Sequence, residues 1–168
     1  IIYTGTLGEI NGVEYLVDIA NEFTEINNKV KLLIVGDGIE EQAIRNKAKI
    51  YNCLDNNLFM INQLPKNKMP GLFNISTIAT SLFIPIKEME ANSANKFFDT
   101  LAAGKPIVIN YGGWQKDLIE KHNIGLVLAR DPKVAANELN ELLLNDELLN
   151  TKGKNALALA KSEFSRDK

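Results

Sequence analysis

The chain has 168 residues, 45% of them hydrophobic, and a formal net charge of −2. That length fits one domain with a substantial core, the apolar content excludes disorder, and the charge balance gives no general attraction to nucleic acid. A single cysteine, Cys53, excludes an internal disulfide, a single histidine, His122, excludes a His-based catalytic cluster or zinc site within the chain, and no apolar run reaches the length of a membrane span.

Strand and helix patterns alternate. Ile1 to Gly5 reads as a strand, and the chain opens on it with neither Met nor signal peptide, so a piece of a longer protein is expected, in a cytoplasmic setting. The loop Thr6 to Gly12 follows. Val13, Leu16, Val17, Ile19 and Ala20 mark a helix ending near Phe23. Val30 to Val35 is a nearly continuous apolar strand ending in Gly36-Asp37-Gly38, and such runs fit a parallel sheet covered on both faces. Glu40 to Tyr51 is a charged amphipathic helix and Leu58 to Ile61 a short strand. Pro65 starts a short helix that Met69-Pro70-Gly71 is expected to disturb. Ile75 to Ile86 reads as a strand with an extended continuation, Ile107 to Ile109 as another, and Ile124 to Leu128 as the last. Tyr111 to Trp114 is a loop, Gln115 to Lys121 a short helix, and two helices, Lys133 to Leu144 and Asp146 to Phe164, close the chain.

Six strand patterns separated by helices predict an α/β fold, an open doubly wound parallel sheet of Rossmann-like type, in one domain over residues 1–168. Ligands of such sheets lie outside the carboxyl ends of the strands. That rule gathers four loops on one edge: Gly5 to Gly12, Gly36 to Gly38, Lys87 to Lys96 and Asn110 to Trp114.

One stretch, Asn92 to Pro106, combines strand, helix start and polar face. Phe97, Phe98, Leu101 and Ala102 share an apolar side, and Asn95, Lys96, Asp99 and Ala103 the opposite one. Asn92 or Ser93 is expected to cap the helix, and Gly104 and Pro106 to stop it. Anions are favoured at such an N-terminus, Lys96 adds a charge, and a carboxylate at Asp99 suits two sugar hydroxyls. An ordinary amphipathic helix with a solvated polar face accounts equally for the periodicity.

In their order, these pieces resemble a family. Tyr3-Thr4-Gly5-Thr6-Leu7 with Asn11-Gly12-Val13, the turn Val35-Gly36-Asp37-Gly38, the strand Phe59 to Gln63, Phe98-Asp99-Thr100-Leu101-Ala102-Ala103-Gly104-Lys105-Pro106-Ile107-Val108, Gly112-Gly113 and Gly125-Leu126-Val127 are similar to the C-terminal, donor-binding domain of a retaining GT-B glycosyltransferase. The type is that of the bacterial enzymes of surface polysaccharides, including lipopolysaccharide and capsule. The segment Ser93 to Pro106 looks closest to members that include transferases of amino-deoxy sugars.

The resemblance implies a site. Asp99 stands where the family's second signature Glu binds the donor ribose. Counting back, the first Glu falls on Ala91, so Glu90 takes that position, against the transferred sugar, if the loop shifts by one residue; the alternative is a solvent-exposed Glu. The family's Arg and Lys for the diphosphate fall on Thr6 and Asn11, neither of them cationic. Lys96, beside the backbone N–H groups of Ala94 and Asn95, is the best-placed substitute, against a merely solvated Lys. Gly5, Thr6, Gly36 and Ser93 complete the donor site, and Asn62 to Leu64 flank the base, with Asn62 as the contact. Asp37 reads as a turn residue first, Trp114 as a filler of the domain edge and His122 as surface.

The implied reaction is transfer of a hexosyl or other glycosyl group from a nucleotide diphosphate sugar, expected as a UDP-sugar, to a glycan or lipid-linked acceptor. No cofactor is implied and no metal: the chain holds no Asp-x-Asp. An N-terminal acceptor domain is implied as the partner, with peripheral placement at the inner face of the membrane through it, and this chain alone is expected to bind donor and turn over little. Two alternatives remain: a non-catalytic nucleotide-sugar-binding module and a GT-B nucleotide-sugar epimerase.

Overall fold

A computed structural model describes residues 1–164. Six strands form one all-parallel sheet: β1 (Ile2–Thr4), β2 (Leu32–Val35), β3 (Leu58–Ile61), β4 (Ala79–Ser81), β5 (Ile107–Ile109) and β6 (Gly125–Val127). Their order is β3-β2-β1-β4-β5-β6. Ile2 sits beside Leu33 on one side and Ala79 on the other. The order reverses between β1 and β4, which opens a crevice at their carboxyl ends.

Among the described residues seven α-helices cover the sheet: α1 (Glu14–Ile26), α2 (Glu41–Ile50), α3 (Met69–Ile75), α4 (Asn95–Ala102), α5 (Trp114–His122), α6 (Pro132–Leu143) and α7 (Asp146–Glu163). Alternation along the strands divides the core between two faces. Val108 packs into a cluster with α1, α2 and α6 residues such as Leu16, Ile44 and Leu139. Its neighbours Ile107 and Ile109 pack instead with Phe97, Leu101, Ile119 and Ala156 of α4, α5 and α7. Cys53 lies buried in the first cluster as a small apolar residue.

Several element boundaries differ from the sequence expectations for local reasons. Pro70 and Gly71 do not disturb α3: Pro70 occupies its first turn, where a missing N–H costs nothing. Ile75 ends that helix instead of starting a strand, β4 is only Ala79–Ser81, and Lys87–Ala91 coils into a 3-10 turn. Trp114 opens α5 instead of ending a loop. Neither Asn92 nor Ser93 caps α4. Ala94 holds the cap position without a side-chain bond, and Asn92 Oδ1 accepts from the Ala94 N–H at 3.1 Å. Ala102 is exposed, not part of the apolar stripe, and Thr100 is buried in its stead, its hydroxyl donating to the Lys96 carbonyl at 2.7 Å.

Candidate functional site

The four loops meet at the carboxyl edge of the sheet through glycines. A Cβ on Gly36 would sit 1.8 Å from the Gly5 carbonyl oxygen, and one on Gly38 2.2 Å from that of Leu7. Only hydrogen side chains let the second loop press on the first this closely. Asp37 joins two loops: its Oδ1 accepts from the Gln63 N–H at 3.2 Å and ties the loop after β3 to the same edge. On the far side a Cβ on Gly113 would lie 2.1 Å from the Glu90 carbonyl oxygen, and one on Gly112 3.2 Å from its Oε1.

Beside the first loop is a hollow of about 380 Å³. Its lining joins Gly5, Thr6 and Asn11 of the first loop, Gln63, Leu64 and Lys66 from the segment after β3, Phe83 after β4, and Ala94, Asn95, Lys96 and Asp99 of α4. Lys96 and Asp99 thus face one cavity at the sheet's point of reversal. The lining does not include Glu90, Ser93 or Asn62. Glu90 sits one loop away against the glycine pair, Ser93 and Asn62 are exposed, and Gly36 is buried beneath Gly5. The Ala94 N–H, expected to be available to a ligand, is engaged by Asn92; the N–H groups of Asn95 and Lys96 head the helix with no preceding turn to bond to.

Lys96 is held by neutral groups. Its Nζ donates to the Tyr3 hydroxyl at 2.9 Å and lies 4.4 Å from the Tyr3 ring centroid and 5.8 Å from that of Phe83. Gly5 leaves room for it, since a Cβ there would come within 3.2 Å of Nζ. Tyr3 in turn donates to the Thr6 carbonyl at 2.8 Å. Burial pushes the Lys96 ammonium down to about 8 and the Tyr3 phenol up. Among the described residues no carboxylate comes within 4.0 Å of Lys96 Nζ.

Two residues of this arrangement are invisible to periodicity. Tyr3 reads as a core aromatic inside an apolar strand, and only its hydroxyl marks it as a buried side chain in need of a polar partner. Lys66, an exposed cation at the hollow's rim, belongs to a short 3-10 turn with no motif of its own. Trp114 fills the domain edge, its indole N–H donating to the Asn92 carbonyl at 2.9 Å and its ring against Phe97 and Phe98. His122 is half-buried at the end of α5. Among the described residues no three His, Cys, Asp or Glu side chains gather as a metal site, and no helix is long and apolar enough to cross a membrane.

The fold has counterparts among solved structures. HepE of Anabaena, solved in complex with UDP, superposes with a TM-score of 0.82 at 17% identity, covering 98% of this chain and 44% of that one. The C-terminal domain of LpcC, a glycosyl transferase group 1 family protein of Francisella tularensis, superposes at 0.80 with 13% identity, covering 98% of this chain and 86% of that one. At such identities the likeness carries the fold alone, that of a GT-B C-terminal domain. Spore coat protein SA of Bacillus subtilis (strain 168) is 23% identical over 172 residues; this chain spans 44% of its length. The model of the family glycosyl transferases group 1 matches residues 1–158, and the chain belongs to that family.

Proposed function

We propose that this chain is the donor-binding domain of a retaining glycosyltransferase that takes a sugar from a nucleotide diphosphate, with a UDP-sugar as the first choice. One observation carries the reading: a half-buried ammonium, Lys96, with no carboxylate within ion-pair distance among the described residues, faces the same hollow as Asp99 at the head of a helix. A diphosphate supplies the absent negative charge and meets the N–H groups of Asn95 and Lys96. Asp99 accepts from the ribose hydroxyls; as an Asp it is one methylene shorter than a Glu and brings the ribose closer to α4. Gly5 and Thr6 line the hollow and let the backbone approach the donor, while Gly36 acts from beneath by letting its loop pack on Gly5; Asn62 and Ser93 lie outside that lining. Glu90, on the neighbouring loop, is assigned to the transferred sugar. The UDP and UDP-glucose complexes of HepE support the choice of nucleotide.

In the transition state the leaving diphosphate gains charge, and Lys96 with the helix N-terminus stabilises that gain. Transfer needs an acceptor domain across the cleft from this one. We assign the acceptor to the glycan and lipid-linked class, in keeping with WaaG, a structural neighbour involved in lipopolysaccharide biosynthesis. The work is placed in the cytoplasm, at the inner face of the membrane through that other domain.

Thermal unfolding with UDP tests the site, because a ligand of the folded state alone raises the melting temperature. UDP is expected to raise it for the wild type and not for Lys96→Ala or Asp99→Ala. Equal rises in all three proteins reject the assignment. A second reading, a non-catalytic nucleotide-sugar-binding module, is favoured by one feature: Thr6 and Asn11 line the hollow without charge. The full-length protein incubated with labelled donor separates the two, since only the enzyme consumes it.

A further inference from the structure

We propose that Tyr3 is a positioning residue for Lys96, and that the pair couples binding of an anionic donor to uptake of a proton by the Lys96 amine. This deepens the donor-site reading and rests on it. The Tyr3 side chain crosses the core from β1 and delivers its oxygen to the crevice, where it donates to Thr6 and accepts from Lys96. One phenol therefore fixes the first loop and the α4 cation relative to each other. The Lys96 stem passes over Gly5, whose φ of +139° and absent Cβ keep the channel open.

Around Nζ stand a phenol and the faces of Tyr3 and Phe83, all neutral. The other ionisable groups on the hollow are Asp99, one turn further along α4, and Lys66 from the segment after β3. Among the described residues no carboxylate comes within ion-pair distance of the amine, and against one hydrogen bond and the ring faces burial prevails, so the amine is pushed down to about 8. A bound diphosphate places opposite charge beside it and reverses that balance. Above pH 8, donor binding then draws a proton from solvent onto Lys96. Tyr3 stays neutral throughout, since burial pushes its phenol up, so it directs the amine without adding a charge of its own.

The probe is UDP-glucose, whose diphosphate diester keeps constant charge between pH 7.5 and 9. Calorimetric titrations in two buffers of different ionisation enthalpy measure proton uptake directly. Wild-type uptake is expected to rise towards one proton above pH 8, with affinity falling by up to about tenfold per pH unit. Lys96→Arg, which stays charged, is expected to bind with no uptake and a flat profile. Tyr3→Phe keeps the ring but loses the acceptor: binding should weaken several-fold, and the fall should begin at lower pH because the charged amine is less favoured. Carbon NMR of the Lys96 ε position gives a variant-free check, with a midpoint near 8 that moves up by at least one pH unit when UDP-glucose is added. Binding that is independent of pH and unchanged in Tyr3→Phe overturns this inference and leaves the donor site standing. No binding of UDP-glucose to the wild type overturns both.

Discussion

Lys96 Nζ and the Tyr3 hydroxyl are 2.9 Å apart although 93 positions separate the residues in the chain. The contact crosses the point where strand order reverses, from β1 to the helix that follows β4, and it locks the loop after β1 to the head of α4. A lysine held there with no carboxylate in ion-pair distance among the described residues is a cost in the empty protein. It becomes an asset when an anion arrives.

That cost is measurable as a function of pH. The Lys96 ammonium has an ordinary value of 10.5, and burial in the fold pushes it down to about 8. Below pH 8 both states hold the proton and the fold carries the full penalty of burying it. Between 8 and 10.5 the folded amine has released its proton while the unfolded one keeps it, so stability rises with pH. The interval corresponds to something on the order of 3 kcal/mol. Lys96→Met removes this contribution, and unliganded Lys96→Met is expected to be more stable than wild type at pH 7 by ~1–3 kcal/mol. Urea unfolding at pH 7 and 9.5 checks it; a gap between the two proteins that does not narrow at the higher pH would sink the idea.

Two glycines of the chain are expected to respond oppositely to alanine. At Gly36 the new Cβ meets the Gly5 carbonyl at 1.8 Å, a backbone atom that cannot swing aside. Gly36→Ala should cost more than about 3 kcal/mol or prevent folding, by the overpacking argument. At Gly71, inside α3, nothing lies within 4 Å of the added Cβ. Gly71→Ala should stabilise by ~0.5–1 kcal/mol through helix propensity. Thermal melts of the two proteins decide it, and a destabilised Gly71→Ala would contradict the reading of α3.

The loop after β4 depends on one amide. Buried Asn110 accepts from the Phe83 N–H at 3.0 Å, and the Phe83 carbonyl accepts from Arg130 at 3.1 Å. Asn110→Ala strands a buried N–H and should cost ~1–3 kcal/mol. Asp at this position keeps the acceptor, so Asn110→Asp should protect the Phe83 amide from hydrogen exchange while Asn110→Ala does not. Equal exchange in both would remove the side chain from the account.

Lys66 and Lys96 face one hollow but differ in exposure. Lys66→Ala should weaken UDP binding less than about threefold at low ionic strength and not at all in 0.5 M salt, because exposed charges are screened. Lys96→Ala should weaken it by about tenfold or more, and salt should matter little, since the half-buried amine acts at short range in a poorly screened site. Affinities measured at the two salt levels compare them; an equal salt response of the two variants would show that Lys96 is not sheltered from solvent.

Periodicity and composition were sufficient for the architecture. Continuous apolar runs such as Leu32 to Val35 and the bounded run Ile107 to Ile109 demand cover on both faces, and the helices between them supply it, so the parallel doubly wound sheet follows from local pattern. The loop glycines and the polar face of α4 were legible for the same reason: each is a local requirement of backbone or helix geometry. What pattern could not settle was where polar groups find their partners. Asn92 gives its acceptor to Ala94 without becoming the cap, Thr100 replaces Ala102 on the buried side, and Glu90 lands on the glycine pair, outside the hollow. Tyr3 and Lys96 meet only because the crossover brings β1 beside β4. A hydrogen bond depends on distance in space, and sequence spacing encodes that only within a turn or along a single face.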